Sequence, residues 1–178
     1  MSAAAVVLLV LTAAGGLVLS AWGERLRPPW GAAVLVVALA GAAGSGWGPG
    51  RAGQGLGEVA VLCAVLAAVA GGGPVATAVL RFADPTEAGV PAEGRGGPGD
   101  PDILRGGAWI GVLERAAVAG TLLAGWPEGL AVVLAVKGLG RYNELRTTPA
   151  AAERFILGTL ASALWAAACV GVAFLVRR

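Results

Sequence analysis

The chain contains no histidine, only two cysteines and a low share of charged residues. Histidine is the commonest proton shuttle and metal ligand, so its absence removes Ser-His triads and most metal and haem sites from consideration. Cys63 and Cys169 lie inside apolar runs and share no CxxC spacing, which predicts two inert thiols rather than a redox or metal motif. The sequence therefore nominates no catalytic residue, no cofactor and no metal, and an enzyme is the less favoured interpretation.

The shortage of charge indicates that lipid, not water, surrounds the folded chain. Of the 178 residues, 13% are charged and 57% are hydrophobic, with a mean hydropathy of +0.77. Soluble domains have about 25% charged and about 45–50% apolar residues. The net charge of +2 is small and not gathered into a basic stripe, so nucleic acid is not an expected partner.

The fold prediction rests on six apolar runs. A helix needs about 17–25 apolar residues to cross a bilayer, and each run is read as one span. The runs cover residues 3–22, 30–47, 56–80, 107–126, 130–142 and 155–176. The fifth is short, and we expect residues 143–145 to extend it. The first run has no preceding Lys or Arg, which predicts an uncleaved span rather than a signal peptide. The predicted fold class is an all-α, polytopic transmembrane bundle of six helices.

The third run contains the sequence Gly71-Gly72-Gly73-Pro74. Pro74 has no backbone N–H and cannot bond the carbonyl of Ala70, so the helix should bend or end there. Either a bent helix continues to Arg81, or the helix stops near Ala70 and a short segment follows. The bent helix is the favoured alternative.

Residues 84–105 form the one hydrophilic stretch, rich in proline and glycine, and are predicted to be a flexible aqueous loop. This loop divides the chain into an N-terminal membrane half (1–81), the loop region (82–106) and a C-terminal membrane half (107–178).

The distribution of cations between the loops predicts the orientation, since Lys and Arg are enriched on the cytoplasmic side. With six spans, one side receives Arg25, Arg27, Arg81, Arg95, Arg105, Arg146 and Arg154. The other receives Arg51, Arg177 and Arg178. The first side is therefore predicted to be cytoplasmic and both termini outside, although the terminal Arg pair argues weakly against this and a five-span count would reverse that end.

Charged residues inside the fourth and fifth runs are the most informative feature of the second half. Glu114 and Arg115 lie in the fourth run, Lys137 and Arg141 in the fifth. Such groups are costly in a membrane unless they are paired or wetted. If the hairpin turns between residues 127 and 128, Glu114 and Arg141 are each about 13 residues from the turn and lie level with each other. Lys137 lies one turn deeper on the face of Arg141, so Glu114 is the expected counter-ion of these two cations, and Glu144 can also reach back to Arg141.

A larger polar cluster follows from the same geometry. Its predicted members come from the last three spans: Glu114, Arg115, Lys137, Arg141, Glu144, Thr159 and Ser162. The five charged members carry one uncompensated positive charge, which an anionic lipid headgroup or another anionic ligand could balance. A purely structural role, fixing the register of neighbouring helices, is the favoured interpretation. Snorkelling of Lys137 and Arg141 to the interface belongs to the same structural interpretation. A ligand or lipid site is less favoured, and a role of the cluster in proton or ion coupling is the least favoured.

The same region resembles a known family. The segments "IGVLER" at 110–115, "KGLGRYNE" at 137–144 and "ERFILGTLAS" at 153–162 are similar to the C-terminal membrane part of an uncharacterised bacterial membrane-protein family with a domain of unknown function. The resemblance covers residues 109–164 and departs from the family pattern at Gly138. It implies that the seven cluster residues and Glu153 belong to the family's signature, and it implies no activity.

Two functions are predicted from different classes. The first is a structural or assembly component of a membrane complex, with the lipid bilayer and either other protein subunits or further copies of itself as partners. The alternative is a small transporter or lipid-binding protein that holds an anionic ligand at Lys137 and Arg141. The expected location is the bacterial cytoplasmic membrane.

Overall fold

The computed structural model describes residues 2–22, 28, 30–47, 53–83, 101–147 and 149–178. These residues are helical apart from short turns, which confirms the all-α prediction. The helices are α1 (Ser2–Ala21), α2 (Gly31–Gly46), α3 (Gln54–Ala83), α4 (Pro101–Leu123), α5 (Gly129–Gly140), α6 (Tyr142–Thr147) and α7 (Pro149–Arg177). Most of the predicted aqueous loop, residues 84–100, lies outside the described residues.

Three of these helices are long and apolar enough to cross a membrane by length and composition, which indicates a membrane protein. They cover Ala3–Ala21, Gly55–Ala83 and Ala151–Arg177 among the described residues. α2 and α5 are apolar but shorter. At 1.5 Å per residue, the 12 residues of α5 span roughly 18 Å, well short of a hydrocarbon core of about 30 Å.

The bundle is organised around α3, which packs most extensively against α7 and α1. α2 lies against α1, while α4 packs against α3, α7 and α5. The core positions of α3 are mainly alanines: Ala60, Ala64, Ala67 and Ala68 are fully buried. Small side chains let helix backbones approach closely, which is the main source of packing contact in lipid.

α1 and α3 approach at backbone distance where Gly16 of α1 faces the backbone of α3 at Ala70 and Gly71. A Cβ built on Gly16 would lie 2.7 Å from the backbone nitrogen of Gly71. No side chain, not even a methyl group, fits at that crossing without moving the helices apart. The absence of a side chain at Gly16 therefore allows α1 and α3 to pack this closely.

α3 runs without interruption through Pro74, so the continuous helix is the correct alternative and the two-piece helix is wrong. Proline and glycine are tolerated inside membrane helices when other groups satisfy the freed backbone carbonyls. The Thr77 hydroxyl donates a hydrogen bond to the carbonyl oxygen of Gly73, 3.0 Å away, which is a different carbonyl from that of Ala70, the one that Pro74 leaves without its N–H partner.

The boundaries of the second half differ from the prediction at three places. α4 begins at Pro101 rather than 107, since proline suits the first turn of a helix, where its missing N–H is not needed. The fifth predicted span does not extend to residue 145: α5 ends at Gly140, Arg141 has non-helical φ −114° and ψ 12°, and α6 follows. Gly138 and Gly140 weaken the helix at that point. α7 begins at Pro149, before the predicted start at 155.

Candidate functional site

Glu114 and Arg115 lie halfway along α4 and contact two different helices. Consecutive residues of an α-helix point about 100° apart, because one turn takes 3.6 residues. Glu114 reaches Lys137 on α5, whereas Arg115 reaches the backbone of α3. The two adjacent charges are therefore not members of one contact group.

Glu114 and Lys137 form a close ion pair. The Lys137 Nζ atom lies 2.6 Å from Oε2 and 2.7 Å from Oε1 of Glu114, and it donates a hydrogen bond to Oε1. The Glu114 side chain is 8% exposed and that of Lys137 is 23% exposed. The same ammonium lies 5.6 Å from the ring centroid of Phe155, a distance typical of a cation–π contact. Lys137 thus connects α5 to both α4 and α7.

The neighbour of Glu114 is Lys137 and not Arg141, the residue that the hairpin spacing predicts to lie level with it. The turn occupies the residues between Leu123 and Gly129, so Glu114 is nine residues before one helix end and Lys137 eight residues after the other. Arg141 falls at the break between α5 and α6, where its side chain is exposed and takes part in other interactions. The difference arises because the turn lies closer to Glu114 than the prediction placed it, which brings Lys137 level with Glu114, and because the helix is interrupted at Arg141.

Arg115 contacts α3 beside its glycine run. Its Nε atom donates a hydrogen bond to the carbonyl oxygen of Val69, 2.9 Å away. A Cβ on Gly72 would collide with Cδ of Arg115, so the arginine stem occupies the space that a side chain at 72 would need. The guanidinium also packs against Gly111, one turn earlier on α4: a Cβ there would be 3.2 Å from Nη1.

Trp165 of α7 packs against Gly71, the residue before Gly72 on α3. Its Nε1 donates a hydrogen bond to the carbonyl oxygen of Ala67, 3.0 Å away, and the residue is 4% exposed. A Cβ on Gly71 would lie 2.6 Å from Cζ2 of the indole. Gly71 and Gly72 therefore make room for one side chain each from α7 and α4.

This role of Trp165 and of the glycines is absent from the sequence predictions, in which the glycine run indicates only a bend. A signal is nevertheless present, because Trp165 stands in the middle of its apolar run, whereas Trp30 and Trp47 flank theirs. An indole N–H away from the interface needs an acceptor within the protein.

The remaining predicted members do not join the ion pair through any contact that the described residues show. Thr159 is 8% exposed, and its Oγ1 has no hydrogen-bond partner there. Ser162 is also buried, and Glu153 is exposed. The side chain of Glu144 lies outside the described residues. The structure thus brings Glu114 and Lys137 together and directs Arg115 elsewhere.

The described residues offer neither a metal site nor a pair of neighbouring thiols. Among the residues whose positions are given, no three His, Cys, Asp or Glu side chains group together as a metal site would require. Cys63 is half-buried and Cys169 is buried, and both are free thiols on different helices.

Comparison with protein-family models, with curated proteins and with solved structures gave no match. The resemblance of residues 109–164 to a bacterial membrane-protein family stays a prediction.

Proposed function

We propose that this chain is a polytopic protein of the bacterial cytoplasmic membrane that performs no chemistry of its own and acts as a structural or assembly component of a membrane complex. The observation that supports the proposal is that the charged side chains inside the predicted spans bind neighbouring helices. Lys137 is bound by Glu114, and Arg115 is bound by a carbonyl of α3. Both contacts hold helices together, as a buried charge does when it fixes packing and register.

These contacts attach a peripheral hairpin to the bundle. α5 packs mainly on α4, and it is too short to cross the bilayer by itself. Val132, Val136 and Leu139 on α5 are exposed, as are Ile110 and Leu113 on α4. Since the Glu114–Lys137 pair fixes α5 on α4, these apolar side chains are presented in a fixed arrangement. We infer that the α4–α5 hairpin is the part that packs against another subunit or a second copy of the chain.

Site-specific photo-crosslinking in native membranes tests this proposal. A photoreactive residue at Val136 or Leu139 should give a discrete protein adduct, because a partner helix would lie within reach. Val7 and Leu11 of α1 are the matched controls, since they are equally apolar and exposed, and they should crosslink to lipid. Identical patterns at all four positions would contradict the proposal.

The proposed orientation has support from the ends of the helices. A Cβ on Gly158 would lie 3.4 Å from Leu80, so the start of α7 lies beside the end of α3. At the opposite end, a Cβ on Gly57 would lie 3.2 Å from Arg177. Arg81 and Arg154 therefore belong to one end and Arg177 to the other. Arg146, just before α7, joins the first group, which we place in the cytoplasm.

The second candidate, an anion-binding protein using Lys137 and Arg141, is supported by the exposure of Arg141 at the break after α5. An anion at Lys137, however, would have to compete with the Glu114 carboxylate 2.6 Å away. Lys137→Met should abolish binding of an anionic solute or lipid if this candidate is correct. Unchanged binding would remove it.

A further inference from the structure

A small groove lies where α1, the start of α2 and the last turns of α3 meet. Its volume is about 130 Å³. Leu19, Ala32, Pro74 and Ala78 supply apolar walls, and Arg81 stands among the lining residues near the end of α3. Thr77 also lines the groove, but its hydroxyl donates to the Gly73 carbonyl, so its polar atom is already engaged with α3.

Exposed aromatic side chains lie at helix ends beside the groove. Trp22 follows the last residue of α1, Trp30 precedes the first of α2, and Phe82 follows Arg81. All three are more than half exposed. Exposed tryptophans at helix ends mark the level at which headgroups meet acyl chains. The groove therefore offers apolar walls and a guanidinium at the depth where a phospholipid changes from chain to phosphate.

We propose that this groove holds part of one acyl chain of an anionic phospholipid, whose phosphate accepts hydrogen bonds from Arg81. Sites for whole small molecules occupy about 300–1,000 Å³, so about 130 Å³ suits a segment of a chain and not a complete solute. A guanidinium carries five N–H donors in a fork that matches phosphate. Arg81 has other interactions within the protein, and five donors allow it to contact a phosphate as well.

This site is separate from Lys137 and Arg141, and it requires no protein partner. Arg81 belongs to α3, and the apolar walls belong to α1, α2 and α3. The ion pair of Glu114 and Lys137 joins α4 to α5. The inference can therefore fail or hold independently of the proposed function.

Native mass spectrometry of protein reconstituted in vesicles is the test. The vesicles contain equal amounts of phosphatidylcholine and phosphatidylglycerol with the same acyl chains. Wild type should retain one phosphatidylglycerol in preference to phosphatidylcholine. Arg81→Gln should weaken that retention about tenfold, the effect of losing one charge-assisted hydrogen bond. Ala78→Leu, which fills the groove, should reduce retention of the same lipid.

Matched controls separate the site from general electrostatics and from misfolding. Arg177→Gln at the opposite end and Arg141→Gln at the break after α5 should retain phosphatidylglycerol as wild type does. Arg81→Lys keeps the charge and should keep part of the preference for phosphatidylglycerol. If Arg81→Gln does not fold, the retention of phosphatidylglycerol by Arg81→Lys, compared with wild type, is the test. Equal retention of the two lipids by wild type, or a loss of preference in Arg141→Gln but not in Arg81→Gln, would overturn the proposal. Unchanged retention in Ala78→Leu would also overturn it.

Discussion

The Nζ atom of Lys137 lies 2.6 Å from Oε2 of Glu114, and this contact joins α5 to α4. The carboxylate is almost fully buried and the ammonium is about three-quarters buried. Removing one partner of such a pair leaves the other charge unpaired, and this costs more than replacing both.

Single neutralisations of this pair should therefore be more harmful than the double change. We expect Glu114→Gln or Lys137→Met alone to lower the free energy of unfolding by about 2–3 kcal/mol, and the double variant to recover most of it. Thermal unfolding in detergent measures the three values. Glu58→Gln, an exposed carboxylate on α3, is the control and should have little effect. Recovery by Arg141→Gln in place of Lys137→Met would show that Arg141 is the true counter-ion.

Gly16→Ala should weaken the bundle because its new methyl group would meet the backbone of α3. The added Cβ would lie 2.7 Å from the nitrogen of Gly71, and backbone cannot rotate away. We expect a loss of about 1–3 kcal/mol, typical of overpacking. Gly120→Ala on α4 has open space around its Cβ and should be neutral or stabilising. Chemical denaturation of both variants in mixed micelles compares them, and equal stability would argue against the close crossing.

Trp165→Phe should remove the hydrogen bond to Ala67 and the one buried indole of the described residues. We expect a loss of about 1–3 kcal/mol, since the Ala67 carbonyl loses its side-chain donor and the smaller ring leaves a gap. The fluorescence fraction that aqueous iodide cannot quench should decrease at the same time. Trp126→Phe, at the exposed turn after α4, should instead reduce the quenchable fraction. A quenchable Trp165 would contradict its position.

Arg146 and Arg178 should be on opposite sides of the membrane. In a variant with Cys63 and Cys169 replaced by alanine, Arg178→Cys should react with an impermeant maleimide added to intact cells, and Arg146→Cys should react only after permeabilisation. The reason is that Arg146 lies just before α7 and Arg178 just after it, with a membrane-length helix between them. Labelling of both in intact cells would refute the orientation, and labelling of Arg146→Cys alone would invert it.

In the C-terminal membrane half, the sequence predicts which residues form intramembrane contacts better than it predicts which partners they take. The sequence indicates charged residues inside the spans and a need for partners, and Glu114 and Lys137 are both among the predicted members. The choice of Lys137 over Arg141 is not predictable from spacing, because it depends on where the turn lies and on the break of the helix at Arg141. Likewise, the direction of Arg115 toward Val69 depends on the rotation of α4 against α3.

The sequence by itself determined the helical class and the membrane setting. With so few charged residues and such long apolar runs, the backbone must satisfy its own hydrogen bonds, and helices do so within one segment. Only the tertiary structure decided which partner each intramembrane charge takes and which side chains pack against Gly71 and Gly72. Those choices arise from helix rotation, tilt and separation, which are properties of pairs of helices. The spacing of residues along one chain does not determine them.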